Sequence, residues 1–219
     1  MDSTSQKVVE EYHLLFGILG TYLYLYPTAS AITSLAQSGM FEEEIDCCRT
    51  EAFCQGAALA ADWCRSYLAH PSVDAIAELR IDATRLFAGQ QHMAAPPWES
   101  VYFNRERMLF QEQTLEVRGW YKRYGMELTQ KNHEPDDHIG YELDFISRLL
   151  KRALECEDER DALSLYSDAR SFAQSHPLKW ASQWSHHVQN EAHTSLYRGM
   201  AIMVPELIDS FVAEASLFA

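Results

Sequence analysis

The chain of 219 residues carries 18 Lys and Arg against 32 Asp and Glu, a formal charge of −14. That charge repels phosphate backbones and anionic headgroups and excludes nucleic acid and membrane surfaces as favoured partners. Hydrophobic residues at 47% and aromatics at 12% exceed what a disordered chain carries, and the length predicts one domain over residues 1–219.

The first predicted helix presents Val8, Val9, Tyr12, Leu15, Phe16, Leu19, Tyr22 and Leu23 as a wide apolar stripe and stops at Pro27. Ala29-Ser30-Ala31 after it imitates a secretory cleavage site. Asp2, Glu10 and Glu11 outweigh Lys7 where a positive segment belongs, however, and the apolar run is shorter than the ~20 residues of a membrane span. Neither a signal peptide nor stable membrane insertion is expected. A short helix over 29–37 leads to the acidic turn Glu42-Glu43-Glu44, read as a solvated face. Helices over 50–68 and 72–88 follow, the latter with Ser72 as N-cap and Asp74 in its first turn.

Gly89, Pro96 and Pro97 interrupt the helical pattern over 89–104, an irregular segment of the kind that often carries function. A helix over 105–124 then ends at Gly125, a natural residue for the left-handed position that closes a helix. The next helix, with Ile139, Leu143, Ile146 and Leu150 on its stripe, opens with Asp136 as its predicted N-cap. Helices over 161–173, 178–188 and 191–215 complete the set, and Pro205 predicts a kink in the last. No stretch alternates as a half-buried strand would, so the fold class is all-α: a single compact globular domain of about nine to ten helices.

Five cysteines (Cys47, Cys48, Cys54, Cys64, Cys156) contain no C-x-x-C and read as reduced, buried thiols in a cytoplasmic protein. Nucleophile elbows, phosphate loops, dinucleotide fingerprints and H-E-x-x-H are absent, which argues against catalysis. The densest polar cluster is His133-Glu134-Pro135-Asp136-Asp137-His138. A helical metal-dependent hydrolase would use His133, Asp136, Asp137 and His138. The alternative is that Asp136 caps a helix while Asp137 and His138, further in, face a partly exposed cleft. His186-His187, Glu191 and His193 form a weaker cluster without a third ligand on one stripe. Trp98, behind two stiffening prolines, either presents an aromatic surface to a peptide or folds back to plug the core.

Three segments carry a family likeness. Leu86-Phe87-Ala88-Gly89 looks like a short L-F-x-G motif, Pro96 to Tyr102 with Asn104-Arg105-Glu106 like a proline-aromatic loop, and Glu134-Pro135-Asp136-Asp137-His138-Ile139-Gly140 like an E-P-x-D-H motif. In that order and separation, over about 82–150, the chain resembles the TorD/DmsD redox-enzyme maturation chaperones, on the branch serving dimethyl-sulfoxide-reductase-type clients of anaerobic respiration. The resemblance implies a TorD-like helical fold, no catalysis, no cofactor or metal of its own, and a cytoplasmic chaperone. Such a chaperone binds the twin-arginine signal peptide of a molybdopterin-dependent reductase precursor through folding, cofactor loading and export proofreading. It further implies Asp137 and His138 as pocket residues, with Leu86, Phe87, Pro97, Trp98, Tyr102 and Arg105 lining a groove. The twin-arginine translocase is an implied further partner, and a monomer or a domain-swapped homodimer the implied assembly. Ala83 and Tyr102 depart from the tryptophans of some relatives.

Overall fold

The computed structural model describes residues 3–88, 93–104, 106, 108–127 and 134–214. Apolar residues at helical spacing take most of them into helices: α1 (Ser3–Tyr24), α2 (Ala29–Ser38), α3 (Glu51–Ala69), α4 (Val73–Ala83), α5 (Ser100–Phe103), α6 (Glu112–Arg123), α7 (Ile139–Glu155), α8 (Glu159–Ser175), α9 (Ala181–Glu191) and α10 (Ser195–Ala213). A π-helical turn, Thr84–Ala88, extends α4, and a 3₁₀ turn, Pro177–Lys179, precedes α9. Among the described residues there is no strand, only an isolated antiparallel bridge between Trp98 and His138. The starts obey capping chemistry: the side chains of Thr28, Thr50, Ser72 and Asp158 accept first-turn amides of α2, α3, α4 and α8. Gly125 follows α6 with φ +67°, the left-handed conformation expected there.

The chain resolves into two compact units, one of residues 1–24, 97–181 and 208–219, the other of 25–96 and 182–207. In the first, α7 packs between α1 and α8. Gly20 and Gly140 let α1 and α7 meet backbone to backbone, since a Cβ on Gly140 would lie 2.7 Å from the Gly20 carbonyl oxygen. Tyr12 and Phe16 meet Phe211, and Phe145 joins Tyr121 to Phe172, giving an aromatic core. In the second unit α2 packs on α3 and α4. The carboxylate of Asp82, buried there, accepts the His193 and Thr194 amides, the Thr194 hydroxyl and an Arg85 guanidinium N–H.

Four expectations change. The helix expected over 105–124 begins only at Glu112: the Asn104 amide donates to the Met108 carbonyl and its oxygen accepts the Met108 amide, while Phe110 takes φ 58°, incompatible with a continuous helix. The irregular segment 89–104 contains the single turn α5. The last helix begins at Ser195 rather than near Glu191, because Asp82 holds the turn before it. Cys54 is exposed and Cys156 half-buried, whereas Cys47, Cys48 and Cys64 are buried; all five are free. α10 runs through Pro205.

Candidate functional site

The two most distinctive sequence segments are joined by backbone hydrogen bonds. The Ile139 amide donates to the Pro97 carbonyl (2.8 Å) and the Glu99 amide to the Asp137 carbonyl (2.9 Å), on either side of the Trp98–His138 bridge. Pro97 and Pro135, which cannot donate, supply stiff backbone beside these donors. The proline-aromatic loop and the start of α7 are thereby fixed as one piece.

Asp137 is completely buried, with 0% of its surface exposed. Its carboxylate accepts the Ser100 amide (2.7 Å), capping α5, and the Thr114 hydroxyl (2.7 Å) of α6. Asp136 accepts two N–H groups of Arg118 (2.9 and 2.6 Å), and its carbonyl accepts the Tyr121 hydroxyl (3.1 Å). Thr114, Arg118 and Tyr121 recur at intervals of four and three, one face of α6. The adjacent aspartates therefore pin that helix to the loop. Asp136 is not the N-cap of α7. His138 is: its Nδ1 accepts the Gly140 amide at 3.0 Å. The expected cap failed because the half-buried guanidinium of Arg118 was a stronger partner for Asp136 than the amides of the helix start.

His138 is 4% exposed and ringed by Tyr24, Trp98 and Tyr141. Burial lowers its pKa to about 3, so it is a neutral imidazole whose Nδ1 lone pair is engaged. Asp137 and His138 are thus frame residues in this conformation and do not occupy the partly exposed positions expected of them. Trp98, 8% exposed, is folded back against the core.

Behind the loop lies a buried set of charges that the sequence reading missed. Glu99 accepts from His176 Nδ1 (2.9 Å) and Glu142 from Trp180 Nε1 (3.2 Å). Burial, then the nearby charges of Glu99 and Asp137, hold the Glu142 carboxyl well above the usual carboxylate range. Its Oε1 meets no donor, and a proton on Glu142 turned toward Glu99 satisfies both groups. Glu142 sits inside an amphipathic helix and Glu99 directly after Trp98; only their apolar neighbours in sequence hinted at burial.

The open part of this region is a hollow of about 470 Å³ lined by Tyr24, Tyr121, Met126, Tyr141, Asp144 and Phe145, among others. Tyr24 and Tyr141 stand 4.1 Å apart, ring to ring, and both hydroxyls hydrogen-bond the half-buried Glu134 carboxyl, whose pKa burial raises. Asp144 pairs with Arg148 (2.6 Å). Glu127, Arg148 and Arg152 line the same hollow, so its aromatic faces stand beside two carboxylates and two guanidinium groups.

The residues expected to line one groove divide between the two units. Leu86 is buried and Phe87 half-buried, the latter against Tyr197 and Trp184, in the second unit. Pro97, Trp98, Asp137 and His138 are buried and Tyr102 half-buried against Trp180 in the first. Arg105 lies outside the described residues, as does His133 of the hydrolase reading. The remaining groups of that reading are engaged elsewhere: Asp136 with Arg118, Asp137 with Ser100 and Thr114, His138 with Gly140. In the weaker cluster, His186 Nε2 meets Asn190 and Glu191 pairs with Arg85. Among the described residues no three His, Cys, Asp or Glu side chains are arranged to hold a metal.

The model of a family described as nitrate reductase delta subunit matches residues 50–185. The chain is 30% identical over 112 residues to the chaperone protein TorD of Vibrio vulnificus, covering 51% of this chain and 52% of that protein. It is 32% identical over 100 residues to the Tat proofreading chaperone DmsD of Salmonella typhimurium, covering 46% and 44%. The chain thus spans about half the length of the curated relatives it matches. A crystal structure of a redox enzyme maturation protein from Archaeoglobus fulgidus superimposes with a TM-score of 0.54 at 18% identity, covering 90% of this chain and 93% of that one, which shows a shared fold.

Proposed function

The chain belongs to the nitrate reductase delta subunit family, with TorD and DmsD among its relatives, and from that premise we propose that it is a non-catalytic maturation chaperone for a molybdoenzyme precursor. Its ligand on this reading is the twin-arginine signal peptide of that precursor, held in the cytoplasm until the cofactor is loaded. No described helix is long and apolar enough to cross a membrane.

The observation that carries the reading is the hollow beside the Glu134 to Gly140 segment. Tyr24 and Tyr141 offer ring faces, and Asp144 and Glu127 line the hollow beside Arg148 and Arg152, so an incoming guanidinium group would take Asp144 in exchange for Arg148. We place an arginine of the leader there. Pro97, Trp98, Asp137 and His138 support that wall from beneath rather than by direct contact, because the His138 ring touches both Tyr24 and Tyr141. The test is leader affinity in Asp144→Ala and Tyr141→Ala. Each should bind a fluorescent leader at least about fivefold more weakly than wild type, since a charge-assisted hydrogen bond is worth ~1.5 to 3 kcal/mol and a cation–ring contact ~1. Unchanged affinity in both variants would move the arginine site elsewhere.

A further inference from the structure

The second unit carries a groove that plays no part in the reading above. It lies between the segment 41–49 and α3, within residues 25–96, and holds about 580 Å³. Its floor is apolar: Phe41, Cys48, Phe53 and Ala61 are buried beneath it, and Ala57 and Ala58 add only methyl groups along α3. Small residues on a concave wall leave room for the side chains of something else. The rim is acidic, with Glu42, Glu43 and Glu44 all exposed.

Charge decides what that something is. The two guanidinium groups on the rim are already engaged, Arg49 with Asp46 and Arg65 with Asp62 and Glu42. With those partners counted, five carboxylates face two guanidinium groups, an excess of three negative charges. Glu43 and Glu44 have no ion-pair partner among the described residues. An anionic occupant is therefore repelled, and a purely apolar one leaves the rim unanswered. The sequence alone reads Glu42-Glu43-Glu44 as a solvated face, but an apolar hollow directly behind a solvated face has no purpose in stability.

We infer that this groove docks an extended segment of a partner protein that carries arginine or lysine beside small or aliphatic side chains. The aliphatic side chains enter against Phe41, Phe53 and the alanines, and the cations meet Glu43 and Glu44 at the rim. The inference stands apart from the family assignment, since it uses only this groove's floor and charge.

Cys54 is exposed and lines the same groove, which supplies a site-specific readout. The probe is the acetylated peptide Ala-Arg-Ala-Leu-Arg-Ala-Leu amide added to the full chain, with iodoacetamide alkylation of Cys54 and Cys156 followed by mass spectrometry. Saturating peptide should slow alkylation of Cys54 about tenfold and leave Cys156 unchanged. The exposed double variant Glu43→Lys, Glu44→Lys removes no packing and should abolish the protection; Ala58→Trp, which fills the groove with a ring, should weaken binding of the fluorescein-labelled peptide measured by anisotropy at least tenfold when both chains compared also carry Asp144→Ala, which silences the first unit's hollow. Peptide that leaves the Cys54 rate unchanged, or binds both variants as tightly as wild type, overturns the inference. Neither result bears on leader binding in the first unit, which the Tyr141 and Asp144 variants report separately.

Discussion

Asp137 and Asp136 are adjacent in sequence and have separate partners: one ties α5 and Thr114 together, the other holds Arg118. Asp137→Ala strands the Ser100 amide and the Thr114 hydroxyl inside the protein, and it should cost roughly 3 kcal/mol of stability in chemical denaturation. Asp137→Asn keeps the shape and one acceptor and should cost less. An alanine variant as stable as wild type would mean the carboxylate is not buried as described. His138 adds a pH signature. Its pKa is about 3 when folded against the ordinary 6.5 of a solvated imidazole, so between those values the unfolded chain binds more protons than the folded one. Its contribution is complete above about pH 6.5 and is lost as the pH falls toward 3, with a slope approaching ~1.4 kcal/mol per unit. Glu142 has the opposite sign, because its raised pKa favours the folded state at low pH and that contribution fades as the pH rises through the folded value. The total profile therefore mixes the two, and the difference between wild type and His138→Asn isolates the histidine. Asparagine keeps a cap acceptor. The variant's thermal midpoint should gain on wild type as the pH drops from 7 to 5, and parallel curves would contradict a buried neutral imidazole.

At the scale of elements, α1 and α7 depend on two glycines whose need sequence spacing alone does not reveal. A methyl group at Gly140 would meet the Gly20 carbonyl oxygen at 2.7 Å and Tyr24 Cβ at 2.8 Å, and neither backbone can yield without parting the helices. Gly140→Ala should destabilise by about 1 to 3 kcal/mol. Gly119, in the interior of α6, has nothing within 4 Å of its Cβ position, so Gly119→Ala should stabilise by about 0.5 to 1 kcal/mol. Paired thermal melts separate the two glycines, and equal shifts would refute the close approach. Helix periodicity made most elements legible: α2, α3 and α8 stand within two residues of their expected limits. What remained hidden depended on contacts distant in sequence. The late start of α6 follows from Asn104 binding Met108, and the cap of α7 passed to His138 because Arg118 captured Asp136. Glu99, Glu142 and His176 look like ordinary surface residues in sequence, and their burial is created by packing of α7 beside the 3₁₀ turn. The motif segments read as a pocket in sequence and form a buried frame in the structure, since a short motif records which residues occur together and not which of them face solvent.

For the molecule as a whole, the excess of 14 negative charges speeds encounter with a cationic peptide and makes that encounter sensitive to salt, because exposed charges are screened over roughly 8 Å at physiological ionic strength. The proposed role joins the hollow at Tyr24 and Tyr141 to the chaperones among the relatives, and its central claim is that a twin-arginine leader is bound and its arginines are what is read. The most direct measurement is calorimetric titration of the full chain with a synthetic twin-arginine leader and with the same leader carrying two lysines, each at low and high salt. The account predicts saturable binding of the arginine leader at micromolar affinity or tighter, about −8 kcal/mol, weaker at high salt and at least severalfold weaker with lysines, whose ammonium groups lack the planar fork that matches a carboxylate. No saturable heat with any leader, or equal affinity for arginine and lysine forms at every salt concentration, would contradict it.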